Sequence, residues 1–243
     1  MSEEPRRSLP LVLLVPNLVT LLGLCAGLTS MRYVVDGAWE TAAILLVLAA
    51  IVDGMDGMLA RKLNAASHFG AELDSLSDFV CFGVAPGFFV YQFALQSLGG
   101  LGWLLALVFT LGACLRLARF NVSRAAPSEG KTGFVGVPAP AGAMLGLMPV
   151  FLTLAGWLHA PDWPVLVAVW LAFVGLMMIS RVPTPSLKGL SVPRSMAVPM
   201  LLGVTLYLWA LATRPWLVLV LSGLLYLAVL AVFAARSARK KAA

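Results

Sequence analysis

Eight apolar runs alternate with short polar breaks along this chain, at about residues 17–35, 39–60, 70–96, 101–122, 138–158, 163–180, 195–213 and 215–235. The breaks fall at Asp36-Gly37, Asn64 to His68, Gly99-Gly100, Arg124 to Pro138, Ala160 to Pro164, Arg181 to Arg194 and Arg214-Pro215. Each run approaches the ~20 residues that a helix needs to cross a bilayer. A helix is also the only open-chain element that satisfies its own backbone in lipid. The pattern predicts an all-α, polytopic membrane helix bundle of about eight transmembrane helices. Residues 1–243 read as a single integral membrane domain, without internal repeats.

Composition agrees. Sixty per cent of the residues are hydrophobic and 12% are charged, against about 45–50% apolar and about 25% charged in soluble domains. So thin a charged shell excludes a water-soluble globule, and so much hydrophobicity excludes disorder. The 243 residues leave no room for a soluble domain beside eight spans. Cys25, Cys81 and Cys114 all sit in apolar runs without a CxxC pair, which predicts buried small hydrophobes. Pro16 cuts the first apolar stretch, so residues 1–15 read as a cytoplasmic N-terminal segment, not as a signal peptide.

The net charge of +6 marks orientation, and nucleic acid is not an expected partner. With eight spans, 15 of the 17 Lys and Arg fall on the side of the two termini, leaving only Arg32 and Arg214 opposite. By the positive-inside rule that side is cytoplasmic. The expected location is the cytoplasmic membrane, with both termini and the active site on the cytoplasmic side. Residues 236–243 read as a basic cytoplasmic tail suited to anionic lipid.

Against this scarcity of charge, two predicted spans carry four aspartates: Asp53 and Asp56 at i, i+3, and Asp74 and Asp78 at i, i+4. Each pair shares one helix face. Ionisable residues on a span are costly and mark function by default. Asp53 precedes Lys62 by nine residues, about 13 Å of helix at ~1.5 Å per residue, so the group lies just inside the cytoplasmic boundary. Gly57, Ala60 and Arg61 fall within about 140° of arc with the two aspartates of that helix. Hard oxygen donors without nearby His or Cys suit Mg²⁺, Mn²⁺ or Ca²⁺, and a two-metal phosphoryl-transfer site fits the arrangement. Structural ion pairs, a proton path and an ion-coupled transporter also place aspartates in membrane helices. On the residues alone those alternatives stay open, although placement near one face counts against a transporter.

The run Asp53-Gly-Met-Asp56-Gly57-Met-Leu-Ala60-Arg61, eight residues, Gly70, three residues, Asp74, three residues, Asp78 resembles the signature of the CDP-alcohol phosphatidyltransferases at every fixed position. The resemblance implies that family's fold, with residues 53–78 as a catalytic motif across the second and third spans. It also implies transfer of a substituted phosphate from a CDP-linked lipid to an alcohol, with release of CMP. By the same resemblance Asp53, Asp56, Asp74 and Asp78 hold two divalent ions, Mg²⁺ or Mn²⁺, and Asp78 is the catalytic base. Asn17, Gly57, Ala60, Arg61 and Ser67 match positions near the CDP-lipid, and a homodimer is implied.

Three further segments bear on the acceptor: Arg116-Leu-Ala-Arg119-Phe-Asn121, Lys131 to Pro140, and Met178 to Lys188. They resemble motifs of the phosphatidylserine synthase branch, over about residues 11–210, with Val137 a mild departure. This implies CDP-diacylglycerol and L-serine as substrates, with Arg116, Arg119, Asn121 and Lys131 as acceptor-binding candidates. An arginine could clamp a serine carboxylate in a bidentate fashion. Sister enzymes using glycerol 3-phosphate, inositol phosphate or choline share the main signature.

Overall fold

The computed structural model describes residues 14–63, 67–125, 134–180, 183–184 and 196–242. All eight apolar runs are helical within these residues. The helices are α1 (Val15–Val35), α2 (Trp39–Lys62), α3 (His68–Asp78), α4 (Ala85–Val90), α5 (Gly99–Ala125), α6 (Ala139–Gly146), α7 (Met148–Leu154), α8 (Pro164–Ile179), α9 (Ala197–Thr213) and α10 (Pro215–Ala242). Four stretches are long and apolar enough to cross a membrane: Val15–Val35, Trp39–Leu59, His68–Ser123 and Pro215–Ala235. Pro164–Ile179 and Val198–Thr213 are shorter apolar helices. The protein is therefore an all-helical membrane protein, with four such stretches among the described residues. The chain forms two compact units, residues 1–85 and 86–243.

In the first unit, α1 opens with Pro16 in its first turn, where a missing N–H costs nothing. The helix ends at Asp36, and Gly37 makes the turn into α2 at φ +71°, a conformation that favours glycine. The buried face of α1 is Pro16, Thr20, Gly23, Gly27, Ser30 and Val34, a seam of mostly small residues spaced alternately four and three apart. Such seams let membrane helices approach closely. A Cβ at Gly27 would lie 2.6 Å from Cys81 Sγ. Ser30 Oγ donates to the Ala42 carbonyl at 2.8 Å, fixing α1 to α2.

The third apolar run is not a uniform α-helix. After α3 the chain forms a π-helical turn over Phe79–Val84, immediately before Pro86. Proline has no N–H to donate four residues back, and the Ala85 N–H reaches five back to Val80. The wider turn absorbs the defect. The fifth run is split for a related reason. Pro149 cannot donate to Leu145, and the chain breaks into α6 and α7 at Leu147. The Leu145 carbonyl instead accepts from Trp170 Nε1 of α8 at 2.8 Å.

In the second unit, Gly99 at φ +55° starts α5, which packs along α8. Gly112 and Gly175 meet at that contact, and a Cβ on Gly175 would lie 2.7 Å from Phe109 Cα. The core includes Phe89, Phe109, Phe151 and Leu171, all essentially inaccessible. A two-residue antiparallel ladder pairs β1 (Phe134–Val135) with β2 (Pro183–Thr184).

One expectation is corrected. Cys25 is exposed on α1 and Cys114 half-buried, so only Cys81 is a buried cysteine. Position 25 lies off the small-residue seam, on the apolar outer face of the helix. Trp216 is the second residue of α10. It is buried and stacks on Phe151 at 6.1 Å.

Candidate active site

The sequence places two acidic helix faces; packing in the first unit brings them together. Asp53 and Asp56 come from the C-terminal half of α2, Asp74 and Asp78 from α3. One carboxylate oxygen from each of Asp53, Asp56 and Asp74 lies within 4.8 Å of the others. Asp78 stands beside this trio, its carboxyl within hydrogen-bonding reach of Asp53. Asp56 is buried, and the other three are half-buried. Carboxylates this close repel one another strongly. The donor set fits a divalent cation: hard, anionic oxygens, converging from two helices.

Helix α1 supplies a residue that the motif does not contain. Thr20 Oγ1 lies 2.6 Å from Asp56 Oδ2 and 3.1 Å from the Pro16 carbonyl. A hydroxyl has one proton, and the shorter bond to a carboxylate takes it. Thr20 thereby holds the most buried aspartate of the group. Its signal in the sequence is a hydroxyl residue one helical turn after Pro16 in an otherwise apolar run. Ser77 Oγ donates to the Thr20 carbonyl and Cys81 Sγ to the Gly23 carbonyl, each at 3.4 Å. These long contacts hold α3 and its π-helical turn against α1.

The result is a small cleft lined by Thr20, Gly23, Ala49, Asp53, Asp56, Ser77, Asp78, Cys81 and Phe82. The lining joins the acidic group to Gly23, Ala49, Cys81 and Phe82, which are small or apolar.

Other predicted residues gather at the end of α3. Ser67 is the N-cap of that helix, accepting from the Gly70 N–H at 3.0 Å. A Cβ on Gly70 would lie 2.8 Å from Asn17 Oδ1 and 3.2 Å from Ser67 Oγ. Glycine at position 70 therefore leaves space for the Asn17 amide. Gly57 faces open space, with no described atom within 4 Å of a built Cβ. The side chains of Ala60 and Arg61 and the whole of Lys131 lie outside the described residues.

The three segments that bear on the acceptor converge within the second unit. The β1–β2 ladder joins Lys131–Pro140 to Met178–Lys188. Gly136, at φ +86°, passes so close to the end of α8 that a Cβ would lie 2.7 Å from the Met178 carbonyl. Arg119 Nη1 donates to the Ile179 carbonyl at 2.8 Å, satisfying one of the open carbonyls at that helix end. Arg116 Cζ lies 5.7 Å from the Phe120 ring centroid.

Apolar helices carrying a carboxylate cluster are the features of a membrane-embedded protein with a candidate divalent-cation site. The profile described as CDP-alcohol phosphatidyltransferase matches residues 13–180, and the chain belongs to that family of transferases. A relative from Mycobacterium leprae is 37% identical over 235 residues, covering 93% of this chain and 77% of the relative. One from Mycobacterium tuberculosis is 34% identical over 212 residues, covering 85% and 73%. One from Bacillus subtilis is 32% identical over 174 residues, covering 72% and 91%. All three bear the name CDP-diacylglycerol–serine O-phosphatidyltransferase. Membership of an enzyme family removes the transporter alternative.

Proposed function

We propose that this enzyme transfers the phosphatidyl group of CDP-diacylglycerol to L-serine, giving phosphatidylserine and CMP. The observation that carries the reading is the convergence of the motif aspartates on one cleft in the first unit. The names of relatives that match most of the chain support serine as the acceptor.

In this reading Asp53, Asp56, Asp74 and Asp78 hold two divalent ions, Mg²⁺ or Mn²⁺. When bound, such ions neutralise diphosphate charge and stabilise a leaving nucleotide phosphate. Asp78 stands at the edge of the carboxylate trio and takes the proton of the serine hydroxyl. The hydroxyl oxygen then attacks the lipid-side phosphorus in line, and the bond to the CMP phosphate oxygen breaks. Thr20 keeps Asp56 fixed during the exchange. Gly57 leaves room for the nucleotide, and Asn17, Ala60, Arg61 and Ser67 complete the CDP-lipid side. Arg116, Arg119, Asn121 and Lys131 serve the acceptor. For Arg119 that role adds to its bond with the α8 end, and for Ser67 to its helix cap.

We also place the site near the cytoplasmic face of an eight-span bundle, in one integral domain, with both termini inside and a homodimer as the working assembly. The charge asymmetry of the sequence supports the orientation. A diphosphate headgroup stays at the membrane surface while its acyl chains remain in the bilayer. A cleft just below that surface admits lipid from the side and a soluble alcohol from water.

The test is an acceptor panel. Purified protein is incubated with CDP-diacylglycerol, Mn²⁺ and, in turn, serine, glycerol 3-phosphate, inositol phosphate or choline, and CMP is measured. Release that depends on serine supports the reading; release with another alcohol alone contradicts it. Asp78→Asn abolishes turnover in a folded protein if Asp78 is the base.

A further inference from the structure

Helix α10 carries a tyrosine in the middle of an apolar run, and the Tyr226 hydroxyl is buried with no hydrogen-bond partner. Buried hydroxyls nearly always find a partner, and buried tyrosines keep their polar tip satisfied. Among the described residues, Tyr226 is the one whose buried side-chain polar atom has none. An unsatisfied donor of this kind marks a place where a ligand supplies the acceptor.

Its surroundings indicate which ligand. The Arg116 guanidinium of α5 is close enough to act electrostatically on the Tyr226 hydroxyl. Helix α10 also packs against β2, the strand that joins two of the segments bearing on the acceptor. Tyr226 precedes Arg236 by ten residues and Arg116 precedes Arg124 by eight. At ~1.5 Å per residue, both groups lie about 12–15 Å from basic residues at the same ends of their helices. A guanidinium can only donate, so it leaves the phenol proton for an acceptor atom of the ligand. A carboxylate has about four lone-pair positions, enough for a bidentate arginine and a phenol together.

We propose that the Tyr226 hydroxyl is a specificity-determining donor that acts with Arg116 on the carboxylate of an amino-acid acceptor. The inference rests on the serine transfer proposed above and adds a contact that the sequence motifs lack.

The test uses the full chain, purified, with CDP-diacylglycerol and Mn²⁺ and a serine titration. Tyr226→Phe removes one oxygen and keeps the ring. The serine KM is expected to rise about tenfold, the size of one lost hydrogen bond to a charged group. The KM for CDP-diacylglycerol stays within twofold, and the melting temperature is equal to or above that of the unchanged protein, because the deleted hydroxyl bonded nothing. An unchanged serine KM overturns the proposal. So does an equal rise in both KM values, or a melting temperature lowered by several degrees, since those mark a structural role. Arg116→Lys keeps the charge and loses the fork. If both residues hold one carboxylate, the double variant shows less than the product of the two single effects; a full product overturns the shared contact. Absence of serine-dependent CMP release from the unchanged protein takes the serine reading and this inference down together, and is recognisable because no variant is involved.

Discussion

The Thr20 hydroxyl donates to Asp56 Oδ2 at 2.6 Å, across 36 residues of sequence, and couples the first helix to the carboxylate cleft of the second. Both residues are buried, so nothing from solvent replaces this bond when it is lost. Thr20→Val keeps the shape and removes the donor. A hydrogen bond to a charged group contributes about 1.5–3 kcal/mol, so kcat/KM for CMP release is expected to fall roughly 10- to 100-fold. Thr20→Ser restores most of it. Valine at full activity would remove Thr20 from any role in holding Asp56.

Gly57 and Gly70 separate ligand space from protein space. A Cβ at Gly57 meets no described atom within 4 Å, whereas one at Gly70 meets Asn17 Oδ1 at 2.8 Å. Gly57→Ala is therefore expected to keep or slightly raise the melting temperature, since alanine favours helix by about 0.5–1 kcal/mol. It raises the KM for CDP-diacylglycerol. Gly70→Ala displaces Asn17 and lowers both thermal stability and turnover. Thermal melts beside steady-state kinetics distinguish the two patterns.

The α5–α8 contact predicts a defect in stability alone. Position 175 has no space for a methyl group, because a Cβ there would lie 2.7 Å from Phe109 Cα, a backbone atom that cannot swing aside. Gly175→Ala is expected to destabilise the protein by about 1–3 kcal/mol. A melt in detergent checks this, and any molecules that remain folded keep their substrate KM values.

Metal removal tests the carboxylate cluster. Three carboxylate oxygens within 4.8 Å of one another repel without a cation between them. EDTA treatment is expected to abolish CMP release, and Mg²⁺ or Mn²⁺ to restore it. Asp56→Asn is expected to lower the affinity for the restoring ion. Activity that survives complete chelation contradicts a metal role for these aspartates.

How far the sequence reaches can be judged residue by residue. Eight apolar runs are legible because lipid permits only self-satisfied backbone, and each run is helical. The two aspartate pairs are legible because spacing alone sets the face of a helix. Tertiary contacts are less so. Thr20 is one hydroxyl in an apolar run, and only the packing of α1 on α2 turns it toward Asp56. Ser67, read as a ligand residue, is also a helix cap, since its hydroxyl meets the Gly70 N–H one turn away. The π-helical turn before Pro86 and the Trp170 bond to the Leu145 carbonyl come from what proline lacks, and sequence marks the proline without showing the remedy. Tyr226 had no motif to signal it. Its hydroxyl stands out only when the partners of buried atoms are counted in three dimensions.

The most direct test follows the oxygen of the acceptor. Serine labelled with ¹⁸O in its hydroxyl is supplied with CDP-diacylglycerol and Mn²⁺, and the lipid product and CMP are quantified by mass spectrometry. The account predicts phosphatidylserine that retains the label, formed one for one with unlabelled CMP. Unlabelled phosphatidylserine, or CMP released without any serine-containing lipid, contradicts it.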